Sequence, residues 1–348
     1  MIVLFVALKL LFHFWSNGVY GFHRDELATL DDARHLAWGY VAYPPLTPFL
    51  GRVELTLFGD TPRAFRVLAA IAQAIAILIA SLMAKHLGGG RKAQWVAAFC
   101  VAIAPISLAA SALFQYVTFD FLWWVLVCYF VVRLAQTDDP RWWTAIGAAI
   151  GLGVLTKYTI AFFVAGLVVG VLATDLRRHL ASRWLWIGAA ISIAIALPNL
   201  LWQATHDFVT LDFLRHIHER DVRIGRASDF FLDQVRLSTN PVTLPVWITG
   251  LIALIRSKRF RVLAWMCVIP FALFVIAKGR GYYTGPLYPI LFAAGGVEIE
   301  RVVRRRLTYV ALAILFVIGC AVVPIVVPLA PPNSHLFKIA SHINHDFR

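Results

Sequence analysis

Long apolar stretches at residues 67–84, 93–113, 159–173 and 307–329 constrain this chain more than any other feature it carries. Each approaches the roughly 20 apolar residues that take a helix across a bilayer. The composition agrees: 60% of residues are hydrophobic and 15% charged, against about 25% charged in a soluble domain. Lipid is therefore the expected solvent. The run at 2–15 lacks a basic start and a small-residue cleavage site, and Lys9 and His13 interrupt it, so it reads as a retained first span.

Ten further spans are predicted at about 64–84, 93–112, 117–135, 142–156, 159–174, 184–201, 241–255, 262–277, 286–297 and 307–329. The expected fold class is an all-α polytopic membrane bundle of about eleven transmembrane helices. It forms one domain over 1–330, followed by a short tail at 331–348. Lys157 splits one apolar stretch, and a charge at that depth favours two short spans meeting at a membrane face. With the first helix running outward, the short loops 85–92, 133–141, 175–183, 256–261 and 298–306 hold 16 Lys and Arg in 41 positions. The opposite side holds 14 in 121, so the positive-inside rule places the long loops 22–63 and 202–240 outside the cytoplasm.

Much of the formal charge of +13 is thus topological. No basic stripe interleaves with exposed aromatics, which argues against nucleic acid as a partner. The outer loops keep Arg215, Arg220, Arg223, Arg226, Lys278 and Arg280, a set suited to anionic headgroups of membrane lipids or to a phosphate-bearing substrate. Cys100, Cys128, Cys267 and Cys320 stand singly in apolar spans, without disulfide or metal spacing. His216, His218 and Glu219 do not complete a ligand set either, because positions i and i+2 of a helix face different ways. No metal or cofactor is indicated.

In the first long loop, Asp25 reads as a helix N-cap, followed by Leu27, Leu30, Ala33 and Ala37 at helical spacing, with Gly39 closing the helix. After Pro44 and Pro45, Leu46, Phe49, Leu50, Val53 and Leu57 make a second apolar stripe. Two amphipathic juxtamembrane helices are expected. Asp25 and Glu26 then sit at the mouth of the first span. The bland reading is a capping Asp beside a solvated Glu; the functional one is a carboxylate at the lipid boundary acting as general base on a hydroxyl. Arg24 could pair with it or with a phosphate oxygen.

Other ionisable residues gather on the same side: Asp120, Lys157, Lys278 and Arg280. Such depth marks function, although Lys and Arg at helix ends also snorkel. Lys278-Gly-Arg280-Gly-Tyr282-Tyr283 separates two cations by glycine, which allows close approach to an anion. His206 and Asp207 after Trp202 are suited either to a polar acceptor or to the aromatic belt.

The series Asp25-Glu26-Leu27, Ala33-Arg34-His35-Leu36-Ala37-Trp38-Gly39-Tyr40 and Pro44-Pro45-Leu46 resembles the first outer loop of GT-C glycosyltransferases. The resemblance is to the branch (families 39 and 83) of protein O-mannosyltransferases and the bacterial aminoarabinose and galacturonic acid transferases of lipid A. It continues through 151–158, 198–207 and 282–289 in family order. It implies a polyprenyl-phosphate sugar donor and an inverting transfer to an extracytoplasmic acceptor, in a bacterial inner membrane. It also implies Asp25 as base supported by Glu26, and Arg24, Lys157, Lys278 and Arg280 as donor phosphate ligands. Asp120, His206, Asp207, Tyr282 and Tyr283 are further substrate-binding candidates. Two departures stand out. Tyr43 precedes Pro44-Pro45-Leu46 where many relatives carry Lys, and only 19 residues follow Leu329 where many carry a soluble domain. Acceptor recognition is then expected from the loops or a partner. The alternative reading is a transporter or flippase of lipid-linked sugars, but no internal repeat or midplane polar site is evident.

Overall fold

A computed structural model describes residues 2–303 and 305–327, with the isolated positions 329, 334, 335 and 338. Most of the expected tail at 331–348 therefore lies outside the described residues. Among the described residues there is no strand. The chain starts with α1 (Ile2–Ser16), and the first long loop carries α2 (Arg24–Arg34) and α3 (Leu46–Leu57). There follow α4 (Val67–His86), α5 (Arg91–Ala102), α6 (Pro105–Ser111), α7 (Tyr116–Thr137), α8 (Trp142–Val154), α9 (Ile160–Leu172) and α10 (Arg183–Thr205). The second long loop holds α11 (Val209–Arg223) and the single turn α12 (Phe230–Asp233). The chain continues with α13 (Leu244–Arg256), α14 (Arg261–Ile276), α15 (Tyr288–Val302) and α16 (Arg305–Val326).

Three helical stretches, Ala64–His86, Tyr116–Thr137 and Arg183–Thr205, are long and apolar enough to cross a membrane unaided. Among the described residues the number rises to six if each of three bent pairs makes one span, and shorter apolar helices stand beside these, so length and composition do not establish the expected eleven. Several predicted spans are bent or short. The predicted span 93–112 bends by 66° ahead of Pro105, whose ring cannot continue the preceding helix. The predicted span 159–174 runs into a 3₁₀ segment at 99°. At 13 residues each, α8 and α9 reach only about 20 Å, short of the roughly 30 Å of hydrocarbon.

The buried centre is formed by α4, α7 and α15, against which α5, α8 and α13 pack. Small residues allow the closest approaches, as is usual where helices associate in lipid. A methyl on Gly147 of α8 would lie 1.9 Å from the Gly188 carbonyl oxygen of α10, and one on Gly250 of α13 would lie 1.9 Å from that of Leu291 on α15. Outward faces are apolar instead: Leu4, Leu8, Leu11 and Trp15 of α1, and Trp186, Ile193 and Leu201 of α10, are all exposed. In water such faces would be a liability; in lipid they are the solvated surface.

The first long loop is helical as expected, but its caps and faces differ. His23, not Asp25, caps α2: its Nδ1 accepts from the Asp25 N–H at 3.2 Å, while Glu26 accepts from the His23 N–H at 2.9 Å. The reciprocal pair is a capping box with an imidazole in place of a hydroxyl. That helix ends at His35. Gly39 has another task, because Trp202 lies flat against it and a methyl there would come within 2.2 Å of the indole. On α3 the predicted apolar stripe faces outward, with Phe49 and Leu57 exposed, while Thr47, Pro48, Gly51 and Glu54 are buried.

Glu26 is fully buried and pairs with Arg66, which precedes α4, at 2.5 and 2.8 Å. The rest of the guanidinium donates to the carbonyls of Asn17 and Gly21, and the carboxylate also accepts from the Phe114 N–H at 2.9 Å. Every member is hydrogen-bonded, the condition under which a buried ion pair holds without net cost. Arg66→Met should strand the Glu26 charge and destabilise the protein by roughly 3–5 kcal/mol. Thermal unfolding in detergent measures this, and an unchanged midpoint would show that the pair anchors nothing.

Candidate active site

Three helix beginnings open on one cavity of 680 Å³: α2 through Arg24 and Asp25, α7 through Gln115 and Tyr116, and α9 through Thr159 and Phe162. Helix N-termini present unpaired N–H groups and a positive dipole end, so the cavity favours an anion before any side chain is counted. The α8–α9 turn adds Lys157 and Tyr158, the stretch after α14 adds Lys278, Arg280 and Tyr283, and α11 lies across one side.

Asp25 is half-exposed to the cavity. It accepts from the Gln115 side-chain amide at 2.9 Å and lies 3.3 Å from the Arg24 guanidinium, itself 83% exposed. Because His23 caps α2, the Asp25 carboxylate is not occupied with its own helix. Glu26, its neighbour, points the other way into the Arg66 pair and does not line the cavity.

Lys157 is 9% exposed. Its ammonium stands 3.7 Å from the centroid of the Tyr283 ring, 5.4 Å from Tyr116 and 5.7 Å from Tyr282. Aromatic faces attract a cation but do not neutralise it. No carboxylate of the described residues lies within ion-pair distance of this nitrogen. Asp120 acts on it electrostatically from behind the cavity wall, where it is buried and accepts from the Trp124 indole at 2.9 Å. Asp120 does not line the cavity.

Arg280 is tethered, with its guanidinium donating to Asp221 of α11 at 2.6 Å. It also donates to the Tyr282 hydroxyl at 3.4 Å. Burial works against ionisation of Asp221, but hydrogen bonds from Arg280 and Arg220 outweigh it and hold the carboxyl below its usual range. Lys278 takes up a left-handed backbone, φ 46°, at the end of α14 and is exposed at the rim.

Of the remaining candidates only Tyr283 lines the cavity. His206 stacks on Trp202 with centroids 4.0 Å apart, and its Nδ1 lies 2.8 Å from the Trp202 carbonyl oxygen. Asp207, φ 52°, makes the turn into α11. Neither lines the cavity, and residues on either side of them, Asn199 and Thr210, clamp the first long loop. The Asn199 amide donates to the Trp38 carbonyl at 2.8 Å, and the Thr210 hydroxyl donates to that of Tyr40 at 2.7 Å. Tyr282 stands just behind the lining and Tyr283 within it.

Several lining residues were not singled out from the sequence. Tyr116 lies four residues before Asp120, hence on the same helix face, which was the available signal. Asp221 lies next to Arg220 in a stretch, 215–226, that carries four arginines against two carboxylates, and that excess of cations was the clue to it. Tyr43 is buried, its hydroxyl donates to Asp32, and its ring lies 5.7 Å from that of Tyr116. Among the described residues no group of three or more His, Cys, Asp or Glu is placed to hold a metal ion.

The chain is similar to several known proteins. The family model described as dolichyl-phosphate-mannose-protein mannosyltransferase matches residues 42–202. The chain is 26% identical over 252 residues to the lipid A galacturonosyltransferase RgtD of Rhizobium johnstonii, covering 68% of this chain and 52% of that protein. It is 26% identical over 269 residues to an undecaprenyl phosphate-alpha-4-amino-4-deoxy-L-arabinose arabinosyl transferase of Pseudomonas fluorescens, covering 70% and 47%. The chain thus spans about half the length of the curated relatives it matches. The crystal structure of ArnT from Cupriavidus metallidurans bound to undecaprenyl phosphate superposes with a TM-score of 0.71 at 22% identity, over 99% of this chain and 69% of that one. Its apo form gives 0.70 at 20% identity, over 96% and 66%. The chain is thus similar over residues 42–202 to the mannosyltransferase family and shares the fold of ArnT, a likeness to membrane glycosyltransferases of the GT-C type.

Proposed function

We propose that the chain transfers a sugar from a polyprenyl monophosphate to an acceptor hydroxyl at the outer face of a bacterial inner membrane, with inversion at the anomeric carbon. The observation that carries this reading is Lys157: a buried ammonium boxed by tyrosine rings, with no carboxylate in ion-pair contact, on the wall of the cavity that holds Asp25. A cation kept so is completed by an anion brought by a substrate. The names of the relatives agree, since one acts from an undecaprenyl-phosphate sugar and a solved structure holds undecaprenyl phosphate.

In this reading the donor phosphate lies against Lys157 and Arg280, with Lys278 and Arg24 nearer the rim. Asp25 takes the proton of the acceptor hydroxyl. The acceptor oxygen attacks the anomeric carbon opposite the phosphate, and the electron pair of the breaking carbon–oxygen bond passes to the phosphate. A phosphate leaves without a general acid if cations meet its developing charge. That asymmetry, one carboxylate against several cations, differs from glycoside hydrolysis, where two carboxylates work as a pair.

Asp25→Asn should fold normally, because His23 supplies the cap and an amide oxygen can still accept from Gln115. Sugar transfer by the purified protein, with donor and acceptor supplied, should fall on the order of 10²- to 10⁴-fold. Near-normal transfer would remove Asp25 as base, and transport without transfer would favour a flippase. Lys157→Gln should weaken undecaprenyl phosphate binding on the order of tenfold, as the loss of one charge-assisted contact does; unchanged affinity would place the phosphate elsewhere.

The outer placement rests on the basic-residue asymmetry of the loops and has its own test. In a background cleared of Cys320, Ser228→Cys in the second long loop should react with a membrane-impermeant thiol reagent in cells whose outer membrane alone is permeabilised, and Ser257→Cys should not. Reversed labelling would put the cavity on the cytoplasmic side.

A further inference from the structure

The polyprenyl-phosphate reading leaves positive charge over. Six basic side chains line the cavity: Arg24, Lys157, Arg220, Arg226, Lys278 and Arg280. Two carboxylates line it with them, Asp25 and Asp221, and Asp120 behind the wall acts on Lys157 as a third. Three cations thus lack a matching acid, and the diester of a polyprenyl phosphosugar brings a single negative charge. A cleft with low-dielectric walls focuses such a surplus and does not disperse it.

The surplus has a location. Arg24 is 3.3 Å from Asp25, and Arg220 and Arg280 share Asp221. Lys278 and Arg226 both have no ion pair and no side-chain hydrogen bond among the described residues, and Lys278 already stands with the cations assigned to the donor phosphate, which leaves Arg226. Its position is built by the chain. Gly225 turns through φ 70°, the Gly225 N–H donates to the Val222 carbonyl at 3.2 Å, and the Arg226 N–H reaches back to that of Asp221 at 2.9 Å. These two bonds close α11 with a glycine C-cap, which brings Arg226 back to the cavity while Arg223, also exposed, stays off it.

We propose that Arg226 forms a second anion subsite, distinct from the donor phosphate position, which takes a carboxylate or phosphate group carried by the donor sugar or by the acceptor. The proposal rests on the polyprenyl-phosphate reading. Arginine suits the task, since its planar fork matches either oxyanion bidentately.

Protein in lipid nanodiscs loaded with undecaprenyl phosphate is competed with glucose 1-phosphate and with glucuronic acid 1-phosphate. The undecaprenyl-phosphate-saturated protein is also titrated with inorganic phosphate. If the anion is on the sugar, glucuronic acid 1-phosphate competes on the order of tenfold better than glucose 1-phosphate. Arg226→Gln then abolishes that preference and Arg223→Gln keeps it. If the anion is on the acceptor, the two sugar phosphates compete equally. The saturated protein then still binds inorganic phosphate, and Arg226→Gln but not Arg223→Gln removes that binding. Equal competition with no Arg226-dependent phosphate binding, while undecaprenyl phosphate still depends on Lys157, overturns the second subsite alone. Undecaprenyl phosphate binding that ignores Lys157→Gln overturns the underlying reading and the subsite with it.

Discussion

The Glu26–Arg66 pair sets the geometry on which the candidate site depends. It joins the end of α1 through the Asn17 carbonyl, the start of α2 through the His23 N–H, the approach to α4 through Arg66 itself, and the entry to α7 through the Phe114 N–H. Asp25 is next to Glu26, and Gln115 is next to Phe114. The bond between Asp25 and Gln115 therefore crosses two elements that the buried pair already holds in register. The Asp25 carboxylate can remain half-exposed because its neighbour in sequence is locked.

The second feature is the unequal treatment of the cations. Arg66 and Arg280 are matched to carboxylates at 2.5–2.6 Å, and such pairs fix structure. Lys157 instead receives three tyrosine rings, which tolerate its charge and keep it in place without cancelling it. The N-termini of α2, α7 and α9 converge on the same space and add to the field. An anion entering this cavity meets groups already oriented toward it.

Much of this was legible in the sequence, and its errors have physical causes. Apolar runs identified the membrane-helical class, because run length reports burial in lipid or protein directly. The same runs do not fix the count of spans, because hydrophobicity does not register a bend such as the 66° one before Pro105, where an apolar segment stops being a single rod. Lys157 was readable because a lone charge between two apolar stretches is rare, and Asp25 because it follows the first span within a recognisable motif. Glu26 looked equivalent to Asp25, since adjacent residues of a helix differ by about 100° in direction and a string of letters does not show which one faces the core. Arg66, Phe114 and Glu26 lie 40 and 88 residues apart, and only the fold brings them together. His206 and Asp207 were misleading for a related reason: polar residues after a span serve equally well as ligands or as the turn they form here.

The account stands on the position of the donor phosphate, and an experimental structure with undecaprenyl phosphate bound tests it most directly. The phosphate is predicted within hydrogen-bond distance of the Lys157 ammonium, inside the tyrosine box and facing Asp25 across the cavity. A lipid phosphate bound elsewhere, with Lys157 still enclosed by Tyr116, Tyr282 and Tyr283 and touching no anion, would contradict it.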